Sequence, residues 1–320
     1  MQYSTLQKLS HDITRVDTAF QRPGFAACYL IRSGNKAAFV DTGTNYSVPN
    51  MLSALAEHDL EPEDVQYIIP THVHLDHAGG AGEMMRQCRN AELVIHPRGA
   101  PHMIDPSKLV AGATAVYGEQ EMRNSYGEIL PIAEDRVLVT EDGQSLDLNG
   151  RALLFLHTEG HAKHHFCIYD EASNGFFTGD TFGLSYRELD TDRGAFVLPT
   201  TTPVQFDPEA WQDSITRLMS YGPTRMYLTH FGMVEEVAQL ASDLKSRLRD
   251  YVHIARKVEA GPERHKQLVK ALTRHAWDAL QRHGCKLNES ELHNLLGMDM
   301  ILNAQGIEVW LDRQARQDSN

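Results

Sequence analysis

Three imidazoles and one carboxylate fall within six positions in His72-Val73-His74-Leu75-Asp76-His77, and this crowding constrains the chain more than any other feature. The apolar run Val65-Gln66-Tyr67-Ile68-Ile69-Pro70 before it reads as a buried strand, and residues 78–88 after it read as a helix. A strand that ends in a tight turn feeding a helix can aim several side chains at one point. Imidazole and carboxylate both ligate divalent metals, so the stretch reads as a metal site rather than as a set of exposed turn histidines.

Apolar runs at residues 26–31, 37–40, 65–69 and 91–95 are expected as strands, with helical spacing over 47–58 and 78–88 between them. Such alternation is the mark of layered α/β architecture. Residues 97–136 have no clean period and are expected to form loops or short helices partly roofing the site, with Tyr117 and Tyr126 among them. Short strands follow at 137–139, 144–148, 152–156, 165–169, 175–178 and 225–228, with Asp142-Gly143 and Asn149-Gly150 as hairpin turns. Asp207-Pro208-Glu209 opens a helix that Gly222-Pro223 ends. Beyond about residue 234 the pattern becomes three long amphipathic helices, and residues 314–320 are expected to fray.

Three further potential ligands stand at the ends of expected strands: His161 in Thr158-Glu159-Gly160-His161, Asp180 in Gly179-Asp180-Thr181, and His230 in Thr229-His230. Seven candidates thus sit at four strand ends. None is a cysteine, which argues against a closed structural thiolate zinc site. The other histidines take blander readings. His164 and His165 read as core or surface residues, His96 and His102 as loop residues beside prolines, and His253, His265, His275 and His283 as solvated.

With His72, His74, Asp76, His77, His161, Asp180 and His230 in this order, the chain resembles the metallo-β-lactamase fold superfamily, and within it the glyoxalase-II-like metallohydrolases. The resemblance implies an α/β protein with a four-layer αβ/βα sandwich and a C-terminal helical extension. Residues 1–235 are then the catalytic domain and 236–320 the extension. It implies two divalent metal ions, zinc first, with iron or manganese as alternatives. His72, His74 and His161 would hold one ion, Asp76, His77 and His230 the other, and Asp180 would bridge them. Asp41, at the end of an early strand, would support the site. The implied reaction is hydrolysis of a small ester, thioester or lactone through a metal-bridging hydroxide that Asp76 orients. An iron-dependent persulfide dioxygenase-like oxidoreductase is an alternative, as is a low-turnover ligand-binding or regulatory protein that retains the metal site. Substrate identity is not written in the ligands.

Composition trims the remaining classes. A formal charge of −13 disfavours nucleic acid as partner and leaves a small-molecule substrate. No apolar run reaches the ~20 residues a bilayer requires, so no membrane partner is expected. The amino terminus lacks a basic region followed by an apolar segment. Cys28, Cys88, Cys167 and Cys285 are scattered, which fits a reducing cytoplasm. The apolar stripes of the tail are expected to pack on the domain or on each other, with a cap over the substrate entrance or a homodimer surface as the other readings.

Overall fold

Alternating and continuous apolar runs in the first 140 residues build a seven-stranded mixed sheet in the computed structural model, which describes residues 4–201 and 204–318. Its strands are β1 (Leu6–Lys8), β2 (Ile13–Asp17), β3 (Ala27–Ser33), β4 (Lys36–Val40), β5 (Val65–Ile69), β6 (Glu92–Ile95) and β7 (Val137–Val139), in that spatial order. The first four pair antiparallel, and β4 to β7 run parallel. Parallel neighbours need crossovers, and helices supply them. These are α1 (Val48–Ala56), the single turn α2 (Leu75–Ala78) with α3 (Ala81–Gln87), and then α4 (Ala100–Ile104), α5 (Ser107–Tyr117) and α6 (Glu119–Glu121). α1 and α3 cover one face of this sheet, burying Met51, Leu55, Met84 and Met85 against Leu30, Phe39, Ile68 and Leu93.

The second sheet has six strands: β8 (Ser145–Leu148), β9 (Arg151–His157), β10 (Phe166–Asp170), β11 (Gly175–Gly179), β12 (Arg225–Leu228) and β13 (Gly232–Val234). It meets the first sheet face to face. The ring of Tyr29 on β3 packs against Phe177 and Tyr227 at 5.3 and 5.6 Å, and its hydroxyl donates to the Leu228 carbonyl at 2.5 Å. At another corner buried Arg151 donates twice to Asp170 and also to the carbonyls of His11 and Arg32. A buried charge so fully bonded is tolerated where a lone one would not be.

The described chain divides into two compact units. The first comprises Met1–His157, His164–Gly179 and Pro223–Glu235 and contains both sheets; the second comprises Thr158–Lys163, Asp180–Gly222 and Glu236–Asn320. Within the second, α7 (Pro208–Met219), α8 (Val237–Lys257), α9 (Arg264–His283) and α10 (Glu289–Asp318) pack in succession. Val237, Leu240, Leu244, Leu248 and Tyr251 form the buried stripe of α8, so these stripes pack on one another.

Residues 97–136 form short helices joined by loops, as read from the sequence, and Met122–Tyr126 form a π-helical turn. One reading of the sequence changes here. Residues 314–318 continue α10 instead of fraying, because Arg264 pairs with Asp312 at 2.6 Å and Arg313 donates to the Phe206 carbonyl just before them. The readings that touch residues 1–3 and 319–320 lie outside the described residues. Among the described residues no helix is long and apolar enough to cross a membrane.

Candidate metal centre

β5 ends at Ile69, and an irregular arm that bends at Thr71 and His72 runs to His74, which precedes α2 with φ −60° and ψ 143°. This short path, followed at once by a helical turn, places His72 and His74 on the arm and Asp76 and His77 in the turn. The ring of His72 lies 4.4 Å from His74 and 4.1 Å from His77, centroid to centroid. His230, arriving from the end of β12, brings its ring to 5.3 Å from His77. Asp76 Oδ2 stands 3.2 Å from His230 Nε2 and 3.8 Å from His77 Nε2. The ligand atoms of Asp76, His77 and His230 all lie within 4.8 Å of one another.

Asp41, at the end of β4, organises this group. It is buried and adopts φ +57°, a left-handed conformation that costs a non-glycine residue about 1–3 kcal/mol and persists only where the surroundings enforce it. Its Oδ1 accepts from the Thr71 amide at 2.7 Å and the Thr71 hydroxyl at 2.9 Å; its Oδ2 accepts from Thr229 Oγ1 at 2.6 Å and faces His77 Nδ1 at 2.8 Å. One carboxylate therefore ties together the ends of β4, β5 and β12. Gly179 makes room for this knot: its φ is +47°, and a Cβ there would lie 2.5 Å from Thr71 Oγ1.

In the second unit His161 and Asp180 form a pair, with His161 Nε2 at 3.3 Å from Asp180 Oδ2. The Thr200 carbonyl lies 2.7 Å from His161 Nδ1. Gly160, at φ +133°, fits closely under Trp211, where a Cβ would lie 2.3 Å from the Trp211 Cβ. Trp211 Nε1 donates to the Thr181 carbonyl at 2.6 Å, next to Asp180.

The tautomers follow from these bonds. A carbonyl or a carboxylate only accepts, so Nδ1 of His77, of His161 and of His230, which lies 2.9 Å from the Phe25 carbonyl, must carry the proton. Where the ring is neutral, Nε2 presents a lone pair toward a carboxylate oxygen, and two such acceptors attract each other only through a proton or a metal ion between them. Metal-ligating histidines characteristically donate their other N–H to a carboxylate or carbonyl in this way. The residues present thus fit a divalent ion in donor chemistry and in orientation.

The blander histidine readings fare unevenly. His165 is fully buried, as a core residue would be, and stacks on His72 with 4.8 Å between ring centroids. His96 lies in the turn after β6, as read, but is buried there, 4.1 Å from His157 between centroids, whereas His102 lies in α4 rather than in a loop. On the tail, His265 pairs with Glu308 at 2.8 Å and His283 Nε2 lies 3.1 Å from the Gly194 carbonyl, contacts that a purely solvated role does not include. Thr71, Thr229, Phe25 and Thr200 have no place in the reading of the sequence. Thr71 and Thr229 each precede a candidate ligand histidine, a signal available in hindsight; Phe25 and Thr200 act through backbone oxygens, which any residue supplies.

A profile of the metallo-β-lactamase superfamily matches residues 21–230, more than half of the chain. A metallo-β-lactamase fold-containing protein of Sulfurisphaera tokodaii is 26% identical over 66% of this chain and 75% of its own length. An atrochrysone carboxyl ACP thioesterase of Aspergillus chevalieri is 30% identical over 52% of this chain, which spans only 44% of that relative. The crystal structure of a metallo-β-lactamase family protein from Thermus thermophilus superposes with a TM-score of 0.67 at 19% identity, covering 95% of this chain and 94% of that one. At that identity the likeness shows the fold alone, the αβ/βα sandwich with helices after it. The chain belongs to the metallo-β-lactamase superfamily.

Proposed function

We propose that this chain hydrolyses a thioester, small ester or lactone with two divalent ions. His72, His74 and His161 would hold one, Asp76, His77 and His230 the other, and Asp180 would bridge them. Residues 1–235 are then the catalytic domain and 236–320 its helical extension. The observation that carries the reading is the shared orientation of His77, His161 and His230, each with Nδ1 set against a fixed oxygen and Nε2 toward a carboxylate. The thioesterase named among the relatives favours the thioester.

Ions bound at these residues supply Lewis-acid polarisation of the acyl carbonyl and a nucleophile from water, whose pKa falls toward ~7 on coordination. The protein's part is positional. Asp41 keeps His77 in one tautomer and one orientation, and the Thr200 and Phe25 carbonyls do the same for His161 and His230. Asp76, 24% exposed at its side chain, is the accessible carboxylate that would orient the attacking water. Imidazole-rich sets suit zinc, with iron and manganese as competitors. The four cysteines, all buried and free, support a cytoplasmic setting.

Metal quantification followed by an activity panel tests this. The expected result is about two ions per chain and turnover of thioesters, esters or lactones but not phosphodiesters. Less than about one ion per chain, with His74→Ala changing nothing, would overturn the ligand assignment. Turnover only with a persulfide and oxygen would overturn hydrolysis.

A further inference from the structure

α5 contributes no buried residue of its own, yet the tyrosine that ends it and the tyrosine that ends the following π-turn both lie near enough to feel the charge of Asp76. Isolated π-turns are rare and recur at functional sites. Tyr126 joins Phe20, Leu75, Met122 and Ile129 in a small apolar cluster separate from the main core, with Phe25, Leu109 and Val110 packed against it. Leu75 lies between His74 and Asp76, so this cluster is continuous with the ligand turn.

The rings form an unbroken series. Tyr117 lies 5.8 Å from Tyr126, Tyr126 5.3 Å from Phe20, Phe20 5.6 Å from Phe25, and Phe25 5.1 Å from His230. Along this series Tyr117 is 41% exposed and Phe25 partly exposed, whereas Tyr126, Phe20 and His230 are buried; the side chain of Asp76, beside His230, is 24% exposed. A substrate with its carbonyl at Asp76 and His230 would meet the accessible rings of this series, Phe25 and Tyr117.

We propose that Tyr117, backed by the buried Tyr126, forms the acyl-side specificity wall of the site, selecting thioesters or esters with a bulky, flat, apolar acyl group over short acyl groups. This rests on the hydrolase reading above. Flat groups pack on aromatic rings in offset or edge arrangements, which an acetyl group cannot exploit. The hydroxyls remain protonated donors at ordinary pH: burial, and then the charge of Asp76, push Tyr117 up to about 12 and raise Tyr126 further. Tyr117 can thus donate to an oxygen on the acyl group while its ring packs.

The test compares benzoyl and acetyl thioesters of one thiol with the metal-loaded protein, its Tyr117→Ala variant and its Tyr117→Phe variant. The wild type is expected to prefer benzoyl. Tyr117→Ala is expected to lower kcat/KM for benzoyl roughly tenfold more than for acetyl, with the loss in KM, and Tyr117→Phe to keep most of the preference. In parallel, calorimetry measures binding of the non-hydrolysable phenacyl and acetonyl thioethers to metal-loaded and chelator-treated protein. Tyr117→Ala should erase a phenacyl preference in both forms. No benzoyl or phenacyl preference in the wild type, or an equal change for both acyl groups in Tyr117→Ala, overturns the wall. If neither thioester is turned over while the phenacyl preference is present and sensitive to Tyr117, the hydrolase reading fails and the wall stands.

Discussion

His77 and His161 face their carboxylates through the same ring nitrogen but are fixed by different means. His77 is set by a side chain, the Asp41 carboxylate, which also receives the Thr71 amide and the Thr71 and Thr229 hydroxyls. His161 is set by the backbone carbonyl of Thr200, and its neighbourhood by Trp211, which covers Gly160 and donates to Thr181. The first arrangement concentrates its energy in one buried anion that a single substitution removes. The second spreads it over the path of a loop and the seating of one helix, so no single side chain should matter as much.

Asp41→Ala puts that contrast at greatest risk. Losing the acceptor strands several buried donors, with an expected cost of about 3–5 kcal/mol in urea unfolding. Affinity for metal at Asp76, His77 and His230 should fall about 10- to 100-fold in a competitive titration, as is typical when the partner of a ligating histidine is lost. A change no larger than that of a surface substitution would show that His77 is not held through Asp41. Next comes Gly160→Ala, where a left-handed φ and the 2.3 Å approach to Trp211 forbid the added methyl; a cost of about 1–3 kcal/mol is expected, with weaker metal binding by His161. Asp207→Ala removes the cap that accepts from the Glu209 and Ala210 amides at the start of α7, the helix carrying Trp211. It should cost about 1 kcal/mol and leave metal content intact, which thermal unfolding and metal analysis check together.

A third kind of histidine sharpens the comparison through pH. His96 is held by burial beside His157 rather than by an anchoring carboxylate, and burial first, then His157 and Arg98, lowers it to about 4. The unfolded chain takes up that proton near the ordinary value of 6.5, so between these values the unfolded state binds more protons. The stability from neutral His96 is present above about 6.5 and lost as the pH falls toward 4. Tm measured across this range should decline more steeply in the wild type than in His96→Gln.

Much of this is legible because strands and ligands leave local marks. Val65–Ile69 and Arg225–Leu228 are short apolar runs with a histidine soon after each, and both form strands where the pattern puts them. β1, β2 and β13 leave no such mark: β1 is three mostly exposed residues, β2 is buried on every residue despite Thr14, Arg15 and Asp17, and β13 is three residues beginning with glycine. The helices within 97–136 are hidden because they are short and α5 only half-buries its apolar residues Leu109, Val110 and Ala113.

The sequence by itself determined the ligand types and their order, since metal chemistry demands imidazole and carboxylate and a spacing of one or two residues is local. It also determined the layered α/β class, because strand and helix periodicities are local too, while the fold family followed from the resemblance that the ordered candidate ligands carry. Only the tertiary structure decided which nitrogen of each histidine is turned toward a carboxylate. That choice rests on Asp41 and on the Phe25 and Thr200 carbonyls, which lie 36, 205 and 39 residues from the rings they fix. Partners so distant, two of them backbone oxygens common to every residue type, have no signature in a linear chain.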